Sequence, residues 1–448
     1  MSAKTVTMQL AEYSVADHWH SLSKKDIRMV QLAYLDWIAV AYTGTEEECV
    51  RQLIELAEEE HISGTCTMVG QGQCSSPINA ALINGTASHA IDFDDIHVFL
   101  SLHLCSPVMP AAMAAAEYCG ANGKELINGT VVGMQIMVAL SAGIMPSHYN
   151  VGRWHATGTI GIFGAAAAAG AILKLTPEQM CNAFGICAGL CSGIQLNFGT
   201  MAKPMAAGMA AKNGLMAAIL ARRGFTGKTN IFDTDFLDNI AAGKADLNQI
   251  TERLYGPFGI HELRFKRYPC GAPTHSGIIN CKKILQDHPH PVEEIEKIVF
   301  EPYPRAIRLV GNPDPKTGLE GKFSISFTAT AQIVFGKVTI ETFTDENVRH
   351  PQVQYLLPRM ELVPCEEFTP SRGGRATMYF KDGTSYTNEV YLLGDELDLD
   401  EAEADVTGKY EEIMEPRVGR SQMEKIQSVL SGLDDLKTIS DLTVLLKN

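Results

Sequence analysis

The stretch ATGTIGIFGAAAAAGAIL, from Ala156 to Leu173, decides the fold class, because it is uncharged and consists mainly of Ala, Gly and branched apolar residues. Small side chains allow neighbouring helix backbones to approach closely. This stretch and Gly129 to Pro146 are nearly long enough to span a membrane, but Gly, Ala, Ser and Thr dilute both of them. The sequence therefore predicts buried helices in a dense helical core, and no membrane span.

The same helical pattern extends outward from this stretch, from Lys24 to about Gly224. It opens with KKDIRMVQLAYLDWIAVAYTG, from Lys24 to Gly44. After about Lys266 the chain changes to β-branched and aromatic runs, which predict strands over Ile295–Tyr303 and Gly336–Phe343 and a hairpin over Ala376–Tyr391. The fold class predicted is mainly α, with a smaller α+β second domain.

Length and charge limit the possible functions. A chain of 448 residues predicts two domains. A net charge of -15 argues against nucleic acid as a partner, since phosphates would be repelled, and an anionic substrate would need a local basic pocket. The segment before Lys24 carries acids and lacks the apolar region of a signal peptide, so we expect a cytoplasmic protein.

The cysteines give no sign of a metal centre. There are 11 of them, scattered and without a CxxC pair, which favours reduced and mostly buried thiols. Cys187 and Cys191 lie one helical turn apart, but two thiols alone make a poor metal site. No metal is predicted.

Basic side chains stand at three predicted helix starts. His103 precedes Ser106-Pro107, where Ser is a preferred N-cap, His155 precedes the alanine-rich helix, and Lys203 precedes Pro204. Helix starts offer unpaired N–H groups and a positive dipole end, to which a basic side chain adds. Taken singly, such residues are more often structural than functional. Three together favour a shared pocket for carboxylates.

Acidic residues cluster just upstream in HAIDFDDIH, from His89 to His97. The cluster can bind a divalent metal, orient an imidazole or form a solvated turn. Orientation of a catalytic histidine is the favoured role, because a carboxylate fixes the tautomer and raises basicity. We assign that role to Asp92 and predict structural roles for Asp94 and Asp95.

Two further segments supply groups that can bind a carboxylate. Tyr149 and Arg153 are one helical turn apart and, on a helix, would share a face, although a packed Tyr and a surface Arg are an equal alternative. FKRYPCGAPTHSG supplies Lys266 and His275 at the predicted junction of the domains, a frequent place for ligands.

Four segments carry a family resemblance: DFDDIHVFLSLHLCSPVMPAAMAAAE, GRWHATGTIGIFGAAAAAG, GTMAKPMAAGMAAKNG and FKRYPCGAPTH. They resemble the MmgE/PrpD family, which includes 2-methylcitrate dehydratase, cis-aconitate decarboxylase and iminodisuccinate epimerase. The resemblance implies a helical domain of residues 1–265 with 395–448, an α+β lid domain of residues 266–394, a homodimer, and no metal or organic cofactor.

The resemblance also implies an active site. The catalytic aspartate, two histidines and lysine of the decarboxylase branch fall on Asp92, His103, His155 and Lys203, and its basic hinge position falls on Lys266. Three positions depart from that branch: Ile96 replaces a threonine, Gly271 a histidine and Phe327 a tyrosine.

These features together predict a cofactor-independent dehydratase that acts on a small di- or tricarboxylate such as 2-methylcitrate. In this hypothesis Arg153, Lys203 and Lys266 hold carboxylates while His103 and His155 move protons. An epimerase or racemase of a dicarboxylate such as iminodisuccinate is the first alternative, and a cis-aconitate-type decarboxylase the second. The alternative from another class is a binding protein for small acids.

Overall fold

A computed structural model describes residues 4–97, 100–369, 373–390 and 397–447. The chain forms two compact units. The first contains the residues up to Asn197, Met201–Phe265 and the residues from Asp398 onward, and the second contains Phe198–Thr200 and Lys266–Leu397. The first unit is mostly helical and the second contains a mixed sheet, so the predicted fold class is confirmed. The predicted boundary between residues 394 and 395 lies outside the described residues.

The first unit is built from helices with short strand pairs between them. Its helices before the second unit are α1 (Val6–Val15), α2 (Lys24–Gly44), α3 (Glu48–Glu59), α4 (Pro77–Ala90), α5 (Cys105–Cys119), α6 (Gly123–Ile144), α7 (Ser147–Asn150), α8 (Ala156–Thr159), α9 (Gly161–Ile172), α10 (Pro177–Ala188), α11 (Ala202–Arg222), α12 (Phe236–Ile240) and α13 (Leu247–Leu254). Its strands are β1 (Cys66–Thr67), β2 (Cys74–Ser75), β3 (Ile96–His97) and β4 (Leu263–Arg264), and they pair as β1 with β2 and β3 with β4.

The second unit alternates helices and strands, and the chain then returns to the first unit. The second unit contains α14 (His275–Asp287), β5 (Ile295–Pro302), α15 (Pro304–Val310), α16 (Gly318–Gly321), α17 (Ile325–Phe335), α18 (Asp345–Val348), α19 (Pro351–Leu356), β6 (Met360–Leu362), β7 (Gly374–Phe380) and β8 (Ser385–Val390). The first unit is completed by α20 (Leu399–Val418), α21 (Arg420–Ser431) and α22 (Ser440–Thr443).

Helix α2 has the bounds that the sequence predicts. Ser23 and Asp26 form a reciprocal capping box, in which each side chain accepts a hydrogen bond from the other residue's backbone N–H. Most residues of α2 are buried. Local capping and tertiary burial therefore agree on where this helix begins.

The two uncharged stretches form buried helices, as predicted. Helix α6 is long and apolar enough to cross a membrane by length and composition alone, but 89% of its most apolar window is buried inside the fold. A Cβ on Gly133 of α6 would lie 2.6 Å from the carbonyl oxygen of Gly164 in α9. The missing side chains thus let these two helices pack backbone to backbone.

The four-stranded sheet of the second unit has the order β6-β5-β7-β8, with β5 parallel to β6 and antiparallel to β7. The predicted hairpin is confirmed over its described part: β7 pairs with β8 around Asp382-Gly383, where Gly383 has a φ of 86°. Tyr391 lies outside the described residues.

The strand predicted over Gly336–Phe343 is wrong. A short 3₁₀ turn, Ile340–Thr342, lies there instead. The backbone N–H of Thr339 donates to Thr342 Oγ1, and Thr339 Oγ1 donates to Glu341. Such local side-chain bonds offer the backbone an alternative to a sheet.

Helices α4 and α11 approach each other through glycines. A Cβ on Gly85 would lie 2.8 Å from Gly208 Cα, and a Cβ on Gly208 would overlap Thr86 Oγ1 and Leu82 O. This approach lets the end of α4, with the acidic segment that follows it, lie near the start of α11, which carries Lys203.

Candidate active site

Lys203 and Asp92 form a buried ion pair. Lys203 is in the first turn of α11, and its ammonium donates a hydrogen bond to Asp92 Oδ1. The two side chains are only 6% and 4% exposed. Asp92 follows α4 with a φ of 57°, in the left-handed region that Asp tolerates better than most residues. The bend after α4 therefore presents this carboxylate to Lys203.

Asp94 contacts two imidazoles, and the structural role predicted for it stays a prediction. Its Oδ2 accepts hydrogen bonds from His89 Nδ1 and Ser106 Oγ, both at 2.7 Å, and lies 3.1 Å from His103 Nδ1. Burial alone would raise the pKa of Asp94, but His103 and His89 hold it well below the ordinary value. The carboxylate of Asp94 therefore lies against His89 and His103, whereas that of Asp92 bonds Lys203. That Asp92 orients a catalytic histidine stays a prediction.

Asp95 caps helix α5. Its carboxylate accepts hydrogen bonds from the backbone N–H groups of Leu104 and Cys105, at 2.8 and 3.1 Å. The expectation that Ser106 is the N-cap is wrong, because α5 begins at Cys105 and an aspartate from the preceding loop already satisfies its first donors. The hydroxyl of Ser106 therefore remains available to Asp94.

Three imidazoles lie together in this unit. The ring centroids of His89 and His103 are 4.7 Å apart in an edge-on arrangement, and those of His89 and His155 are 5.6 Å apart and stacked. Burial lowers the pKa of His155 well below its ordinary value, and the neighbouring His89 and Lys203 lower it further. His155 is therefore neutral at physiological pH, which is the form that can accept a proton.

His89 belongs to this group, although the sequence did not single it out as a candidate site residue. It lies in the last turn of α4 and is five residues before Asp94, a spacing that matches neither a helix face nor a strand face. A signal was present in the sequence, because His89 begins the segment HAIDFDDIH, which also contains three carboxylates. Its pairing with Asp94 depends on the bend at Asp92.

His89, Asp92, Asp94 and His103 each offer a ligand atom, and these atoms lie within 4.8 Å of one another, close enough to hold a metal ion. The donors already present fit a hydrogen-bonded network better than a cation site. The Lys203 ammonium bonds Asp92 and would repel a divalent ion, while His89 and Ser106 donate to Asp94. That the protein uses no metal stays a prediction.

Tyr149 and Arg153 do not share a helix face, so that premise is wrong. Helix α7 ends at Asn150, and Arg153 has a φ of 58°. Tyr149 is buried and Arg153 is exposed. Their role in substrate binding stays a prediction that this geometry does not support by itself.

Lys266 and His275 belong to the second unit. Both are buried there, with 4% and 8% exposure, and the ring of Tyr268 meets that of His275 edge-on at 5.2 Å. Their role as carboxylate ligands stays a prediction.

Two of the three positions that depart from the decarboxylase pattern, Phe327 and Gly271, lie in the second unit and pack against apolar side chains there. Phe327 is fully buried in an apolar cluster, with its ring 6.0 Å from that of Phe343. A Cβ on Gly271 would lie 3.0 Å from Val310 Cγ1, so a histidine there would require its neighbours to shift. The third, Ile96, pairs with Arg264 in the first unit.

Two family models and several known proteins match most of this chain. Residues 8–245 match the model of the MmgE/PrpD N-terminal domain, and residues 268–435 match that of the C-terminal domain. Cis-aconitate decarboxylase of Aspergillus terreus is 25% identical over 96% of this chain and 94% of its own length, and that of Mus musculus is 26% identical over 100% and 94%. The mitochondrial 2-methylcitrate dehydratase of Yarrowia lipolytica is 23% identical over 92% and 85%. Because the two family models together span most of its length, the chain belongs to the MmgE/PrpD family.

Proposed function

We propose that this protein is a lyase that removes water from a small di- or tricarboxylate such as 2-methylcitrate, after abstraction of a proton α to a carboxylate. The observation that carries the proposal is the convergence of His103, His155 and the Lys203–Asp92 pair around His89, in one largely buried cluster. Lyases that act on carboxylates among the relatives support the reaction class.

The mechanism uses proton transfer next to fixed positive charge. A neutral His155 accepts the α proton, and His103 delivers a proton to the departing hydroxyl. The carboxylate of Asp94 and the backbone carbonyl of Asp95 place the His103 ring through its Nδ1. The ammonium of Lys203 and the N–H groups at the start of α11 stabilise the negative charge that develops on the substrate. If His103 instead accepts the α proton and His155 protonates the departing hydroxyl, the product is the same.

Decarboxylation is the second candidate, because several full-length relatives are cis-aconitate decarboxylases. We rank it behind dehydration, and two features of the second unit support this order. Phe327 offers no hydroxyl where that branch has a tyrosine, and Gly271 offers no imidazole where that branch has a histidine.

Incubation with citrate-like and succinate-like acids in D₂O, followed by proton NMR, tests the proposal. Alkene signals with no loss of CO₂ are expected. Deuterium incorporation at the α carbon without net product would identify an epimerase instead, and release of CO₂ would identify a decarboxylase. Tight binding of an acid with neither exchange nor product would favour a binding protein.

We also propose that the protein is a cytoplasmic homodimer. Exposed apolar side chains between α10 and α11 support self-association, since Leu196 is 86% exposed and Ile194 and Met201 are each more than a third exposed. Light scattering at several concentrations tests this, and a monomeric mass at micromolar concentration would refute it.

A further inference from the structure

His89 occupies the centre of the imidazole cluster and is fully buried. Its Nδ1 lies 2.7 Å from Asp94 Oδ2. Its Nε2 is buried and has no hydrogen-bond partner among the described residues. Burial lowers the pKa of His89 to about 4, although Asp94 opposes that shift, so the ring carries a single proton at pH 7.

Another buried histidine of the same unit shows what a purely structural imidazole looks like. His148 has a partner for each ring nitrogen: Nδ1 donates to the carbonyl of Ile240 at 2.8 Å, and Nε2 lies 2.7 Å from Thr159 Oγ1. An unsatisfied buried polar atom costs about 1 to 3 kcal/mol. The open Nε2 of His89 therefore calls for an explanation other than stability.

The open nitrogen fixes the position of the single ring proton. With a carboxylate at Nδ1 and no acceptor at Nε2, the N–H belongs at Nδ1 and points at Asp94. This donor joins Ser106 Oγ on the same oxygen, which also lies 3.1 Å from His103 Nδ1. The same His103 nitrogen has a second partner, the backbone carbonyl oxygen of Asp95. The placement of Asp94 toward His103 thus depends on which His89 nitrogen carries the proton.

We propose that His89 is a positioning residue for proton transfer: its Nδ1–H holds Asp94 in the orientation that directs His103, and its ring face supports His155. The inference rests on the proposed function for its catalytic consequence. His89 acts through these neighbours and does not itself touch the substrate. Partners that orient a functional histidine typically contribute 10-fold to 100-fold, and in a catalytic triad more.

Two conservative variants test the roles of His89 Nδ1 and Nε2 separately. The side-chain amide of His89→Asn can place an N–H where Nδ1 lies, whereas that of His89→Gln places it near Nε2. We expect His89→Asn to keep kcat within about fivefold and His89→Gln to lose about 10-fold to 100-fold in kcat with little change in KM. His148→Gln is the matched control, and it should lower stability while leaving kcat unchanged.

Equal kcat values for the Asn and Gln variants would overturn the inference, whether both were active or both were impaired. A second measurement needs no turnover, and it follows the Nδ1–H group of His103 in labelled protein by ¹H-¹⁵N NMR. The backbone carbonyl of Asp95 keeps the proton on this nitrogen in every variant, so the chemical shift and not the tautomer reports the distance to Asp94. We expect the wild-type shift in His89→Asn and a changed shift in His89→Gln. A wild-type shift in His89→Gln would contradict the proposal. If the wild type converted no acid, the proposed function would fail, and the NMR result alone would decide the positioning role.

Discussion

The ammonium of Lys203 donates to Oδ1 of Asp92 inside the first unit, although 111 positions separate the two residues in the sequence. Removal of one partner from a buried pair leaves an uncompensated charge, which typically costs about 3 to 5 kcal/mol. We therefore expect Lys203→Met to lower the free energy of unfolding by that order and to abolish turnover. Urea unfolding and steady-state kinetics measure the two effects.

The double variant Asp92→Asn with Lys203→Met separates stability from catalysis. It removes both charges, and Asn also tolerates the left-handed backbone at position 92. The free energy of unfolding should regain at least half of what Lys203→Met loses, while turnover stays absent. Recovery of activity together with stability would show that the pair is only structural.

His155→Ala should reduce kcat by about 10² to 10⁴ and leave the fold intact. General acid and base groups contribute rate factors of this size. The His155 side chain makes no capping hydrogen bond to α8, so its loss removes no cap. The exposed His20 supplies the control, since His20→Ala should retain wild-type kinetics. Wild-type kcat in His155→Ala would remove this residue from the mechanism.

Gly208→Ala should disturb both stability and activity, because the added methyl group would overlap Thr86 Oγ1 and the carbonyl of Leu82. Overpacking of this kind costs about 1 to 3 kcal/mol. The resulting shift of α4 against α11 should also lower kcat, since these helices carry His89 and Lys203. Thermal unfolding and kinetics measure both effects.

Gly408→Ala is the matched control for that substitution. Gly408 lies inside α20, and a Cβ there would meet nothing within 4 Å. Alanine should stabilise this helix by up to about 1 kcal/mol. If both alanine variants had the same stability, close packing at Gly208 would not explain the contact between the helices.

Acid should destabilise the protein through its buried histidines. Burial lowers the pKa of His148 and of His89 to about 4, whereas an unfolded histidine titrates near 6.5. Between these values the unfolded chain binds more protons than the folded one. The free energy of unfolding should therefore be highest above pH 6.5 and should fall by up to about 1.4 kcal/mol per pH unit for each group as the pH drops toward 4.

Urea unfolding at several pH values between 7 and 4 measures this slope. His148→Asn keeps a donor for Ile240 but cannot titrate, so its slope should be smaller by the contribution of one group. An identical slope in the variant would show that His148 does not titrate in this range.

Local signals were sufficient for several elements. Ser23 and Asp26 cap α2 within one turn, and Asp382-Gly383 forms its hairpin turn from its own backbone preferences. Each depends on residues that are neighbours in the sequence. Local composition also gave one wrong prediction. Gly336–Phe343 has the composition of a strand, but hydrogen bonds of Thr339 produce a turn there.

The residues of the candidate site could be predicted only in part, because only some of them carry a local signal. His155 and Lys203 stand at helix starts, a feature visible in the sequence. Which carboxylate meets which base was not visible, because the left-handed turn at Asp92 sends that side chain to Lys203 and leaves Asp94 to His89 and His103.

By itself, the sequence determined the helical character of the first unit, the strand-rich character of the second and the basic residues available for catalysis, since periodicity, capping and residue chemistry act over one or two turns of chain. Only the tertiary structure decided how Asp92, Asp94 and His89 are partnered. Those partners are brought together by the close packing of α4 and α11 and by one backbone bend, and both depend on contacts between residues far apart in the chain.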